Sequence, residues 1–433
     1  MGTTLLYSYQ PNMLSKIALL YRRLFSLKEI EDSEMLKWLF GTVLLSFFVT
    51  FYGWTTGSAT SISTFTSGAH VCPPYFTTCG EYYFFQSLPY GYSQNAFYII
   101  LFAVAGGVAL SMWRNKWLYA HVGLLSLFLW KVGFLYFLTN FQGGNYDHYD
   151  MLLAFVILFL PHKVFFARAT FVTLYFMSGI LKLDEGWVDA KYLNNLVTGV
   201  PVFATFFPSL VTRVVILMQL FGSWFLLSNA HSLRTLAFAF FFAFHAYSGL
   251  LVGYRYLTIA FTSVVVLFWM FQKSEPTVVP KTKASFVGYV FLLSLVTLQL
   301  IPLFQEGDFR LTLERNKYHL FMFEANHQCD SKTILYYTDG STDEIVMNSD
   351  SARMRCDPYN SFFIIKTLCE RNKNIARVAF TFDHSINGNP YLRIVDVPNV
   401  CELDYKPFTH NEWIKTSEDN PEVIRQAEKN FYY

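Results

Sequence analysis

Charged residues are scarce in this chain. Asp, Glu, Lys and Arg make up 15% of its 433 residues, against about 25% in an ordinary soluble domain. That scarcity excludes a soluble globular protein and predicts a membrane protein. The net charge of +2 argues against a nucleic-acid partner, which selects a strongly basic face. No His-x-x-x-His and no Cys-x-x-Cys occurs, so nothing in the spacing points to a metal site. A Gly-x-Ser-x-Gly elbow and a Gly-rich phosphate loop are both missing. There is no Asn-x-Ser/Thr sequon. This favours a bacterial inner membrane, with the C-terminal part in the periplasm, over an endoplasmic reticulum membrane. No internal repeat and no low-complexity tract appears.

What the chain has is apolar and aromatic. Hydrophobic residues reach 53% and aromatics 19%, which suits helices with aromatic belts at the lipid–water interface. A spanning helix needs about 20 apolar residues. Segments 36–54, 94–113, 117–138, 150–163, 166–182, 209–228, 232–252, 255–272 and 285–304 qualify. The expected fold is an α-helical polytopic membrane bundle of about nine transmembrane helices, with a β-rich extracytoplasmic domain after it. The first apolar run has no cleavage-like end and reads as a retained helix. Lys and Arg gather in the N-terminus, 113–116, 161–168, 229–235 and 272–284. Segments 55–92 and 139–149 hold none. The positive-inside rule then predicts a cytoplasmic N-terminus and an external C-terminus.

All six cysteines (Cys72, Cys79, Cys329, Cys356, Cys369 and Cys401) fall in segments assigned to the outside. Disulfides persist in oxidising compartments, so they support the same orientation. The expected boundary lies at residue 304, with a membrane domain over 1–304 and an outer domain over 305–433. The runs TILYY (333–337), FFIIKTL (362–368), ARVAFTF (376–382) and YLRIV (391–395) read as strands. Asp339-Gly340 and Asn387-Gly388 read as tight turns. Segment 186–208 reads as an interfacial or re-entrant piece.

Ionisable groups at membrane depth are functional candidates, since each is costly to bury. Lys131 and Arg213 fit structural ion pairs best. His148, beside Asp147 and Asp150, and Lys182, followed by Asp184, Glu185 and Trp187, lie at the outer ends of neighbouring spans. A lone helix-end lysine ordinarily snorkels to the interface. A buried one loses its charge more readily and becomes a base. His148 and Lys182 converging on one pocket form a general-base pair. His245 is a further candidate within FHAYSG.

The stretch G-I-L-K-L-D-E-G-W-V (179–188) contains K-L-D-x-x-W-V. It resembles the lysine segment of the vitamin K-dependent gamma-glutamyl carboxylases, within the horizontally transferred transmembrane domain superfamily. D-H-Y-D-M-L (147–152) is similar to the family's Asn-His-x-Tyr-Leu run, with Asp147 in place of the asparagine. F-H-A-Y-S (244–248) resembles a Phe-His-x-x-Asn stretch, with Ser248 departing from it. N-H-Q (326–328), Y-Y-T-D-G-S-T-D-E (336–344) and S-I-N-G-N-P-Y-L-R-I-V-D-V (385–397) resemble outer-domain segments of the family. The likeness runs in order along most of the chain and suggests a short microbial-type homologue.

The resemblance implies a carboxy-lyase that uses reduced vitamin K (a naphthohydroquinone), O2 and CO2, with no metal. Lys182 would start the reaction as a base, with His148 assisting. Asp147, Asp184, Trp187, His245 and His327 would line the quinone and substrate pocket. Asp184 is expected to face outward or cap the chain, because a carboxylate aimed at Lys182 would favour the ammonium. The partners implied are a lipid quinone, the membrane and a secreted or membrane-anchored glutamate-containing protein. The resemblance further implies a Cys72–Cys369 disulfide. A local Cys72–Cys79 bridge is the alternative. Two other functions remain open: a quinone-dependent enzyme that modifies another peptide or only epoxidises, and a non-catalytic membrane chaperone or export factor.

Overall fold

The computed structural model describes residues 13–56, 71–82, 92–140, 145–196, 202, 206–252, 256–304, 307–314, 325–348 and 356–426. All nine apolar segments are helical: Glu34–Thr56, Tyr92–Trp113, Trp117–Leu138, Asn145–Phe159, Lys163–Leu181, Pro208–Phe225, His231–Val252, Leu257–Met270 and Ser285–Leu300. Among the described residues, six helices are long and apolar enough to cross a membrane: those starting at Glu34, Trp117, Lys163, Pro208, His231 and Ser285. Asn145–Phe159 and Leu257–Met270 are shorter.

Two boundaries differ from expectation. The helices expected over 150–163 and 166–182 run instead over Asn145–Phe159 and Lys163–Leu181. Pro161 carries no amide donor, and His162 turns left-handed at φ 55°. The Glu29 carboxylate then accepts from the backbone N–H groups of His162 at 3.0 Å and Lys163 at 2.7 Å. A carboxylate at a helix N-terminus is favourable twice, through the orphan donors and the helix dipole. Lys163 is therefore buried, its Nζ donating to the Leu160 carbonyl at 2.7 Å.

The bundle has two unlike ends. One is tied by charged side chains. Besides Glu29, Glu275 accepts from Ser33 and from the Met35 amide, and Arg168 donates to the carbonyls of Leu267 and Glu275. The other end carries the sheet domain. There Asn140 donates to Asn360 at 2.8 Å, and the Tyr359 hydroxyl donates to the Cys72 carbonyl at 2.9 Å.

The sheet domain is a five-stranded antiparallel sheet in the order β2-β1-β3-β4-β5. The strands are β1 His327–Tyr337, β2 Thr342–Asn348, β3 Ile375–Ile386, β4 Tyr391–Val397 and β5 Val423–Arg425. Asp339-Gly340 and Asn387-Gly388 sit in the two expected turns, with φ of 85° at Gly340 and of 53° and 73° at Asn387 and Gly388. Leu335, Val378, Phe380, Ile394 and Val395 pack its core.

The run FFIIKTL is not a strand. It lies in the helix Pro358–Arg371. Asp357 caps that helix by accepting from the Tyr359 amide, and proline opens it. Pro358, Tyr359, Phe362 and Ile365 are buried, which is helical spacing and not alternation.

The Cys72–Cys369 pairing is also overturned. The bridges are Cys72–Cys79, Cys329–Cys356 and Cys369–Cys401. Consecutive turns after Pro73 return the chain so that Cys79 meets Cys72. Cys369, on the helix Pro358–Arg371, faces the short turn Val400–Glu402 that bears Cys401. Hydrogen bonds such as Tyr359 to Cys72 thus join sheet domain and bundle where a disulfide was expected.

Candidate functional site

The site starts on one face of the helix Lys163–Leu181, the lysine helix. Phe171, Tyr175, Ser178 and Lys182 are spaced four, three and four residues apart, so they stack along one side. Lys182 caps the C-terminal end of the helix and is only 5% exposed. Its Nζ donates to the Ser178 hydroxyl at 2.6 Å and the Ser178 carbonyl at 3.2 Å. It also sits 4.8 Å above the centroid of the Trp187 ring, within cation–π range. Lys182 is folded inward onto polar and aromatic partners; it does not snorkel.

Trp187 is held by a capped turn and by a second ring. Asp184 accepts from the Gly186 amide at 2.6 Å and so caps the short helix Glu185–Val188. This is the capping role expected of it. Burial raises the Asp184 carboxyl above its usual range; the Arg310 charge, the amides of Gly186 and Trp187, and Lys182 oppose that rise. Trp187 stacks on Tyr192, centroids 4.4 Å apart. Part of segment 186–208 is thus two short helices, Glu185–Val188 and Lys191–Asn194.

These short helices dock on the sheet domain. Asn326 Nδ2 donates to the Tyr192 carbonyl at 2.9 Å, and the Asn326 amide donates to Asn387 Oδ1 at 2.9 Å. Asn195 Nδ2 donates to the Asn387 carbonyl at 2.9 Å. Gly388 is required here: its φ is 73°, and a Cβ would strike the Asn195 amide. His327 follows Asn326 and is buried, its Nδ1 3.0 Å from His384 Nε2. His384 Nδ1 lies 2.6 Å from the Leu311 carbonyl. A carbonyl only accepts, so His384 Nδ1 carries the proton and its Nε2 accepts from His327. Burial holds the His384 pKa down to about 4, against the Leu311 bond that raises it.

In the opposite direction the lysine helix meets His245. The Tyr175 hydroxyl bonds to His245 Nε2, and Tyr175 stacks face to face on Phe241 at 4.0 Å. Tyr149 and Tyr256 complete an aromatic enclosure around them. His148 is buried in the first turn of Asn145–Phe159, next to Tyr149.

Asp147 goes elsewhere than expected. Lys131 Nζ lies 2.7 Å from both Asp147 and Asp150, and all three side chains are fully buried. Ser46 donates to Asp150 at 2.9 Å. Asp147 is therefore committed to a buried ion cluster, which is the structural role expected of Lys131. Arg213, expected in such a pair, is exposed on the Pro208–Phe225 helix.

Tyr175, Ser178, Tyr192 and His384 were not singled out from sequence, and Tyr149, Asn326 and Asn387 stood there only inside family-like segments or a turn. The 175/178/182 spacing carried a signal for two of them. No family model, no curated protein and no solved structure matches this chain.

Proposed function

We propose that this chain is a vitamin K hydroquinone-dependent peptidyl-glutamate gamma-carboxylase with Lys182 as the initiating base. One observation carries the proposal. Stretches that resemble the carboxylases but lie far apart in sequence meet on the lysine helix or its continuation. Lys182 and Trp187 form one such stretch. N-H-Q reaches it through Asn326 and Tyr192, S-I-N-G-N-P through Asn387 and Asn195, and F-H-A-Y-S through His245 and Tyr175. D-H-Y-D packs on the same helix through Tyr149.

A reduced naphthoquinone and dioxygen supply a strong base as the quinone becomes its epoxide; that base removes a glutamate γ-hydrogen and CO2 takes its place. The chain's own residues have narrower tasks. Lys182 Nζ takes the hydroquinone hydroxyl proton. Ser178 and the Trp187 face then hold the ammonium so formed. The enclosure of Tyr149, Tyr175, Phe241 and His245 is fully buried, which keeps bulk water from a strong base. The glutamyl peptide enters from the side of the sheet domain, beside the His327–His384 pair.

The same proposal places the apolar helices in a membrane, with the N-terminus cytoplasmic and the disulfide-bonded sheet domain outside. The disulfides and the charged connections at the opposite end of the bundle support that orientation.

A second reading is favoured by Asp147. It stands where the family carries asparagine and is bound to Lys131. On that reading the chain oxidises the quinone without carboxylating glutamate. One assay separates them: purified protein in lipid, reduced vitamin K, a Glu-rich peptide and labelled bicarbonate. Epoxide with label in the peptide supports the carboxylase. Epoxide alone supports the second reading. Neither product overturns both and leaves a non-catalytic chaperone.

A further inference from the structure

We propose that the helix Met13–Leu24 is an in-plane anchor that lies on an anionic lipid surface. Met13, Ile17, Leu20 and Leu24 are spaced four, three and four residues apart, so they form one stripe. They are 77%, 51%, 67% and 68% exposed, and no residue of the helix is buried. Such a stripe stays out of water only when something apolar covers it.

The charges around the stripe say what covers it. Lys16 and Arg23 border it along one flank, Arg22 lies opposite, and residues 13–24 contain no Asp or Glu. Arg22 is turned back onto Glu31 at 2.5 Å. Lys16 and Arg23 are exposed, with no ion pair among the described residues. Cations flanking an apolar stripe match the acyl boundary and phosphate layer of an anionic leaflet.

The helix is also held at the right level. The Tyr21 hydroxyl bonds to His121 Nδ1 at 2.8 Å, and the Phe25 ring packs on His121 and Phe159. His121 lies near the start of Trp117–Leu138, and its Nε2 reaches the Leu158 carbonyl near the end of Asn145–Phe159. Two apolar helices therefore end where Tyr21 is tied. A lipid surface around the bundle meets the stripe at that depth. This inference rests on the reading that the apolar helices cross a membrane.

Spin labels on the full chain in lipid nanodiscs test both parts. Labels go at Leu20→Cys on the stripe, Ser15→Cys on the polar side and Leu129→Cys on the exposed flank of Trp117–Leu138. Collisions with dissolved oxygen and with a water-soluble nickel chelate are compared in phosphatidylcholine discs, with and without phosphatidylglycerol. Oxygen should dominate at Leu129 and Leu20, and nickel at Ser15. Phosphatidylglycerol should further reduce nickel access at Leu20, and Lys16→Glu with Arg23→Glu should abolish that reduction. Nickel dominance at Leu20 with oxygen dominance at Leu129 overturns the anchor alone. Shielding of Leu20 from both reagents shows protein over the stripe and also overturns it. Equal depth in both lipids removes the anionic preference. Nickel dominance at Leu129 overturns the membrane reading itself.

Discussion

Asn326 Nδ2 donates to the Tyr192 carbonyl across the junction between sheet domain and helical bundle. The same asparagine takes Asn387 Oδ1 on its own backbone amide. One residue thus ties the strand that bears His327 to the segment that positions Trp187 over Lys182. Asn387→Ala should leave the Asn326 amide unsatisfied and cost about 1–3 kcal/mol. Hydrogen exchange should show faster opening in residues 186–196 than in the rest of the chain. Unchanged protection there would mean that the junction is held by other contacts.

Lys182→Ala should abolish epoxide formation without unfolding the protein. Small exogenous amines should partly restore it, because the pocket would keep its shape around the missing Nζ. Ser178→Ala should lower turnover less and shift its pH profile, since it removes only the hydroxyl contact to Nζ and keeps the carbonyl one. Quinone turnover by Lys182→Ala at the wild-type rate would falsify the base assignment.

Lys131 satisfies two fully buried carboxylates. Removing one partner of a buried ion pair costs about 3–5 kcal/mol, because the remaining charge stays buried. Lys131→Met should therefore fold poorly. Adding Asp147→Asn and Asp150→Asn should recover much of the loss. Detergent-extracted yield and thermal midpoint are the readouts.

Non-reducing peptide mapping should find Cys72–Cys79, Cys329–Cys356 and Cys369–Cys401. The last bridge spans 32 residues, and on a chain-entropy account it contributes about 3–4 kcal/mol. Cys369→Ser with Cys401→Ser should loosen the helix Pro358–Arg371 and leave the bundle helices intact. A recovered Cys72–Cys369 peptide would overturn the pairing.

His384 makes stability depend on pH with a definite sign. Its folded pKa is held down to about 4 by burial, against an ordinary value of 6.5. Between these values the unfolded chain binds more protons than the folded one, so stability falls as pH falls through that window. The slope ends below about pH 4, where the folded histidine is protonated too. Protection factors along β3, with the intrinsic pH dependence of amide exchange divided out, should fall from pH 6.5 towards 4, and His384→Gln should flatten that response.

The sequence revealed elements better than contacts. Long apolar runs announced the nine helices of the bundle, because about twenty apolar residues in a row leave a plain mark; Met13–Leu24 and Pro358–Arg371 have no such run. Strands β1, β3 and β4 and the two Gly turns were equally plain, whereas β2 and the short β5 were not. FFIIKTL was misread because a short apolar run has no decisive period; Asp357 and Pro358, which start the helix, lay just outside it. The cysteine pairing was not legible because bridge partners are set by how turns close, which spacing alone leaves open. Lys182 and Trp187 stood out in one short word. Tyr175 and His384 did not, since their partners lie 70 and 73 residues away.

Gly388 has a mechanical consequence. It is the point where a turn of the sheet rests against the side chain of Asn195. An added methyl there acts as a wedge, and the wedge stands between the two bodies that frame Lys182. The seating of the sheet on the segment that carries Trp187 is therefore gauged by the smallest of residues, and Gly388→Ala would pry the two apart without touching any group that handles a proton.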